Sequence, residues 1–257
     1  MATLFTFGPS HYCEKARWAL DLAGVRYREV RWAPGPHLLS ARRLAPQSLV
    51  PILCHSKTII QGSGRITDWA EASGGMNWRS GVSSAEKAEI AELEAWADNA
   101  LGVAVRRLIY ATSLGRESRA VAAVLFRGAI WWQRPLAPLM WPISRRAIMR
   151  GLRATAEDIP DARAALEREL DHLDRLVSGQ NRFLVGDRLG RADIAVASLL
   201  SPIIFPAEHP VYGTLPPWQA QRRIMEAYRD RPCVGWATAL YRDFRRPARG
   251  DAAALPG

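Results

Sequence analysis

Cysteine is scarce in this chain: 257 residues hold only Cys13, Cys54 and Cys233. Odd in number and widely spaced, they form neither a disulfide framework nor a zinc cluster, and they fit a reducing compartment. Lysine is equally rare, since Lys15, Lys57 and Lys87 are the only lysines among 35 basic residues. The formal charge is +10, but no nucleic-acid-binding motif accompanies it, so charge alone gives no ground for a nucleic-acid partner. Long apolar runs are missing too. The most apolar stretch, residues 120–143, is broken by Arg127, Arg134, Pro135 and Pro138, and no transmembrane helix is expected from it. The first basic residue is Lys15, which leaves no charged leader of the secretory type, and a cytoplasmic protein is expected. What the chain has in quantity is apolar surface. With 48% hydrophobic and 23% charged residues, it can bury a sizeable core, and disorder is excluded as the main state.

Thr3 to Phe7 reads as a short strand, ended by Gly8-Pro9 just before an apolar-periodic helix that runs from Cys13 to the stop at Gly24. Val25 to Trp32 reads as a second strand, and a polar, proline-containing loop is expected through Pro46. Val50 to Leu53 and Thr58 to Ile60 read as two more strands, followed by a helix over Ser63 to Ala72. The order βαβ then ββα predicts a small α/β domain over residues 1–76. From there the texture is helical only. Ser83 and Glu86 have capping-box spacing, a helix starts at Asp161 with Leu166, Leu170, Leu173 and Val177 in period, and another starts near Asp193. An all-helical domain is expected over residues 84–246, with a loose tail at 247–257.

Ser10-His11-Tyr12-Cys13 stands at the strand-to-helix junction, where unpaired N–H groups and the helix dipole favour an anion such as a thiolate. Two chemistries suit that place. Cys13 can itself be the thiolate, or Ser10 can donate a hydrogen bond to the thiolate of a ligand. Val50-Pro51 precedes a strand, and a cis bond there would turn the Val50 backbone outward to pair with an extended peptide. Ser63, after Gln61-Gly62, opens a helix whose N-terminus can hold a carboxylate.

With these residues in place the chain resembles the cytosolic glutathione S-transferase superfamily over nearly its full length. The segment from Ser10 to Leu20 looks like the family's first active-site turn and helix. Ala45-Pro46-Gln47-Ser48-Leu49-Val50-Pro51-Ile52-Leu53 looks like its N-P-x-G-x-V-P-x-L segment, Ser63-Gly64-Arg65-Ile66 like its S-x-x-I, and Phe183 to Ala195 like the capping segment of its helical domain. The resemblance implies an α/β thioredoxin-like N-terminal domain that binds glutathione as cosubstrate, an all-α C-terminal domain that presents a hydrophobic electrophile, and a homodimer with a detoxifying role. It places Ser10 on the glutathione sulfur, Val50 and Pro51 on the cysteinyl unit, and Ser63 with Gln61 at the γ-glutamyl end. Thr6 and Phe7 stand where a tyrosine-type enzyme has its tyrosine, so a serine-type transferase is expected.

Three departures from the pattern stand out. Gly62 replaces the acidic residue before Ser63, and Gly190 replaces the serine or threonine that caps the helix at Asp193. The segment from Val105 to Thr155 carries more Trp, Pro and Arg than a plain helix pair. Tyr110, Trp131, Trp132, Met140 and Trp141 are candidates for the second-substrate wall, and His37, Arg42 and Arg43 for the glycine carboxylate. Two other readings accompany the transferase: a thiol reductase using Cys13, and a non-catalytic binding module. In the latter, Arg145 to Arg153 beside the tryptophans would rest on an anionic membrane surface.

Overall fold

The computed structural model describes residues 1–74, 82–179 and 181–246, so the expected tail and part of the linker after Gly74 lie outside the described residues. Four strands form one mixed sheet, β1 (Ala2–Thr6), β2 (Tyr27–Arg31), β3 (Ile52–His55) and β4 (Thr58–Gln61), in the order β2-β1-β3-β4. β1 pairs with β2 in parallel, and β3 is antiparallel to both β1 and β4, with Leu4 opposite Leu53. The parallel pair needs a crossover, which α1 (His11–Leu22) provides. A departure from expectation follows β2: the segment read as a polar loop contains helix α2 (His37–Leu44). Only His37 and Ala41 of this short helix are buried, so its sequence carries too little apolar periodicity to declare itself.

α3 (Ser63–Ser73) completes the first domain. Its N-cap, Gly62, has φ +99°, the left-handed region open to glycine without strain. The helical domain begins with α4 (Ser84–Trp96), capped as expected by the reciprocal Ser83 and Glu86 bonds. A π-helical turn over Ala97–Leu101 joins it to α5 (Gly102–Ser113). Next come α6 (Ser118–Phe126) and α7 (Leu136–Leu152), then α8 (Ile159–Val177), α9 (Arg191–Ile204), α10 (Gln219–Tyr228) and α11 (Pro232–Phe244). Gly190 leaves α9 half a capping box: Asp193 Oδ2 accepts from Gly190 N at 2.8 Å, while Oδ1 accepts from Leu184 N at 2.8 Å.

One continuous core joins the domains. Leu4 and Leu53 of the sheet, Ala16, Ala19 and Leu20 of α1, and Ile66 of α3 pack with Ile194, Val196 and Leu199 of α9. Charge pairs reinforce the same junction. Arg191 reaches Asp68, Glu71 and Glu94 at 2.7–2.9 Å, and Lys15 reaches Asp98 at 2.8 Å and Glu94 at 3.3 Å. Buried Arg245, just past α11, meets Glu14 at 2.6 Å and Asp21 at 2.7 Å. α6 and α7 stand apart, with a small core of their own around Leu114, Val121, Leu125 and Trp141. They dock on the β2 edge of the sheet: Arg31 bridges to Ala129, and Gln133 Oε1 accepts from Ala33 N at 2.8 Å.

Candidate active site

The turn between β1 and α1 is held from behind. Arg17, on the second turn of α1, donates from Nη2 to the carbonyls of Phe7 (3.3 Å) and Gly8 (2.9 Å), and Tyr212 Oη donates to Pro9 O at 2.9 Å. Arg17 is itself fixed by Glu29 at 2.7 Å and Glu14 at 3.1 Å. Burial would raise the Glu29 carboxyl, but Arg17 and Arg31 outweigh it and hold it at about 2. Behind Glu14 stands His209, whose Nδ1 accepts from the N–H groups of Val211 and Tyr212, so Nε2 carries the proton and faces Glu14 at 3.6 Å. Burial lowers the His209 pKa to about 3, and the ring is neutral.

Ser10 is the N-cap of α1, with φ −70° and ψ 122°, and its Oγ accepts from Cys13 N at 3.4 Å. A hydroxyl that accepts from the helix keeps its own proton to donate outward, toward whatever anion occupies the helix N-terminus. Cys13 lies one turn further in and is fully buried. Burial raises its thiol to about 11 despite the pull of Arg17 and the Ser10 contact. A helix N-terminus activates a cysteine only where the thiolate stays hydrated or charge-paired, and Cys13 has neither condition. Its environment therefore speaks against a redox thiol, whereas Ser10 in the same turn is half-buried.

Val50-Pro51 is cis, as expected, and among the described residues the Val50 backbone N–H and C=O have no protein partner. Gln61, placed by the resemblance at the γ-glutamyl end, also serves the neighbouring loop. Its Nε2 donates to Gln47 O (2.6 Å) and Leu49 O (2.8 Å), so it ties down the loop that leads into Pro51. Ser63 is the buried first residue of α3. No side chain stands within 4 Å of where a Cβ on Gly62 would be, while the carboxylate of Asp98 comes to 3.9 Å from the corresponding point on Gly64. Asp98 is thus an acid beside the α3 N-terminus, carried there by the π-helical turn and held by Lys15. Sequence reasoning missed it, because a π turn inside an otherwise regular helical pattern leaves no periodic signal.

Arg106, missed at the sequence level, joins His11 and Tyr12 around α1. Tyr12 Oη donates to Asp98 O at 2.6 Å, and an added Cβ at Gly102 would meet that hydroxyl at 2.8 Å, so the small residue on α5 is needed there. Arg106 stands over the Tyr12 ring at 5.6 Å, its Nε buried and, among the described residues, without a hydrogen-bond partner. His11 packs on Tyr12 at 4.6 Å, and burial, with Arg106 and His209 adding to it, lowers its pKa to about 3.

Of the aromatic candidates for a substrate wall, Tyr110 is within electrostatic range of Arg106 and the Cys13 thiol, whereas Trp141 is in the separate α6–α7 core, Trp131 is 76% exposed, and Met140 packs against Gly35. His37 is occupied on both ring nitrogens, by Gly35 N at 3.1 Å and Ser48 O at 3.0 Å, which leaves Arg42 and Arg43, both exposed, as the basic groups of that region.

Comparisons with known proteins agree with this layout. Residues 4–77 match the family described as Glutathione S-transferase, N-terminal domain, and residues 133–214 match Glutathione S-transferase, C-terminal domain. The structure is similar to that of a glutathione S-transferase from Rhodospirillum rubrum F11, with TM-score 0.63 and 21% identity over 100% of this chain and 96% of that one. It is also similar to a theta class glutathione S-transferase from Xanthomonas axonopodis pv. citri with glutathione bound, with TM-score 0.56 and 18% identity over 92% and 96% of the two chains. FzlA from C. crescentus shares the fold at TM-score 0.56 and 22% identity, with 96% of each chain covered. No curated protein matches the chain in sequence.

Proposed function

Because the chain belongs to the cytosolic glutathione S-transferase superfamily, we propose that it joins the sulfur of glutathione to a hydrophobic electrophile, with Ser10 as the group that stabilises the thiolate. The observation that carries this reading is the Ser10 hydroxyl at the N-terminus of α1, accepting from Cys13 N and so left with its proton to donate. The hydroxyl need not ionise: a hydrogen bond to thiolate is stronger than one to thiol, and the helix dipole adds to the preference. The thiolate then forms the C–S bond, and the displaced electron pair leaves with the electrophile's leaving group or moves onto its activated double bond. Arg17 and Tyr212 are positioning residues, since they fix the carbonyls of Phe7, Gly8 and Pro9 and through them the Ser10 rotamer.

The rest of the tripeptide follows in the same way. The Val50 backbone pairs with the cysteinyl unit, and the N-terminus of α3 with Ser63 receives the γ-glutamyl carboxylate. Asp98, beside the start of α3, takes up the γ-glutamyl ammonium in place of the acid absent at Gly62. Arg42 and Arg43 serve the glycine carboxylate.

Calorimetric titration with glutathione tests the site. Binding in the micromolar to low-millimolar range is expected, weakened by Ser63→Ala and by Asp98→Asn, while Ser10→Ala retains binding and loses at least tenfold in turnover of an aryl halide. No heat with glutathione, or full turnover by Ser10→Ala, would reject the proposal.

A further inference from the structure

Between Glu117 and Glu157 the chain has no acidic residue, yet it has seven arginines, so these 39 residues carry seven of the ten net positive charges. This is the segment that forms α6 and α7. Among the described residues, Arg134, Arg145, Arg146 and Arg150 have no carboxylate within ion-pair distance. The two faces of α7 explain what such charge accompanies. Ala137 and Trp141 point inward and are buried, while Leu136, Leu139 and Ile143 point outward, with Leu139 76% and Ile143 70% exposed. At positions i, i+3 and i+7 the three form one line along the helix. Arg146 and Arg150, at i+10 and i+14, continue the same line over the last two turns. Trp131, 76% exposed, stands just before the helix.

A solvated helix face has the reverse arrangement, with mixed charge outward and apolar residues inward. A face that begins aliphatic, continues as unpaired arginine and has an indole beside it fits the boundary of an anionic bilayer. There the leucines and isoleucine enter the acyl edge, the guanidiniums fork onto lipid phosphates and the indole sits among headgroups. No helix among the described residues is long and apolar enough to cross a membrane, so the contact is a surface one. We propose that the outer face of α7 docks this protein on anionic lipid bilayers. The occupant follows from charge complementarity: a segment with seven arginines and no acid, two of them in line with the exposed aliphatic residues of α7, suits a fluid anionic plane.

Co-sedimentation of the full-length protein with phosphatidylglycerol-containing vesicles and with pure phosphatidylcholine vesicles, at low and high salt, tests the proposal. Binding is expected to the anionic vesicles only and to fall steeply with salt. Leu139→Glu with Ile143→Glu, both at exposed positions that leave the fold intact, should reduce partitioning by roughly tenfold or more, and so should Arg146→Glu with Arg150→Glu. Failure of the wild-type protein to sediment with anionic vesicles would overturn the proposal. So would sedimentation unchanged by the Leu139 and Ile143 substitutions. If light scattering instead shows that these substitutions turn a dimer into a monomer, a second copy covers the face and the lipid assignment is wrong.

Discussion

The domain junction and the α6–α7 pair are both rich in arginine and use it in opposite ways. At the junction Arg17, Arg191 and Arg245 are buried, and each is met by at least two carboxylates. In the α6–α7 segment the acids are missing altogether, and among the described residues Arg134, Arg145, Arg146 and Arg150 have no carboxylate partner. A guanidinium can be taken out of water only with its counter-charge in place, so the first set is tied to the architecture and the second remains available for an external anion. Composition alone treats the two sets as one net charge of +10, and only their placement separates a structural set from a binding one.

Thermal unfolding of arginine variants gives the sharpest version of that contrast. Arg245→Ala leaves buried Glu14 with Arg17 alone and takes the guanidinium from Asp21, and should cost on the order of 3–5 kcal/mol, whereas Arg146→Ala should stay within about 0.5 kcal/mol. Equal losses would erase the distinction.

Acid titration of stability comes next in size. The folded-state pKa of Glu29 lies near 2 against an ordinary 4.5. Its stabilisation is therefore complete above about pH 4.5 and is lost as pH falls toward 2, amounting to at most about 3 kcal/mol. Asp193, raised by burial to about 6, acts with the opposite sign and withdraws stability as pH rises from about 4 to 6. Glu29→Gln should flatten the acid limb of denaturant midpoints measured against pH. An unchanged limb would remove Glu29 from the network.

Gly62→Ala is the subtler backbone test. With φ +99° and open space beside it, the alanine strains the chain without a clash, so a loss of about 1–2 kcal/mol is expected by chemical denaturation. Gly62→Glu should show the same strain yet bind glutathione at least as tightly, since it adds an acid beside Asp98. Thiol labelling has the smallest effect and the clearest order: half-buried Cys54 should react with iodoacetamide well before buried Cys13 and Cys233 in the folded protein. Rapid labelling of Cys13 near neutral pH would bring the thiol reductase reading back.

Much of the architecture was readable before any coordinates. The strand and helix order of the first domain, the Ser10 cap, the turn at Pro51, Ser63 at a helix start and the half box at Asp193 are all local signals, decided by residues a few positions apart. What escaped is what sequence distance hides. α2 buries only two residues and reads as loop. Asp98 comes to α3 across a π turn, Arg106 comes to Tyr12 from α5, and Tyr212 reaches Pro9 from 203 positions away. Gln61 lies in the expected segment, but its amide is used by the neighbouring loop, a choice that spacing cannot reveal. A stripe of aromatics likewise looks the same whether it lines a substrate wall or fills a second small core, and Trp141 does the latter.

The contact between Glu14 and Arg245 also has a consequence in time. The two residues are 231 positions apart, so during synthesis the first helix leaves the ribosome long before its buried carboxylate can find this second guanidinium beside Arg17. The thioredoxin-like half can collapse early, but α1 seats fully only after the final helix has been made and has docked. Docking of α11 thus completes the seating of α1, and a chain stopped before Arg245 would leave Glu14 with Arg17 alone and Asp21 without its guanidinium beneath the active-site turn.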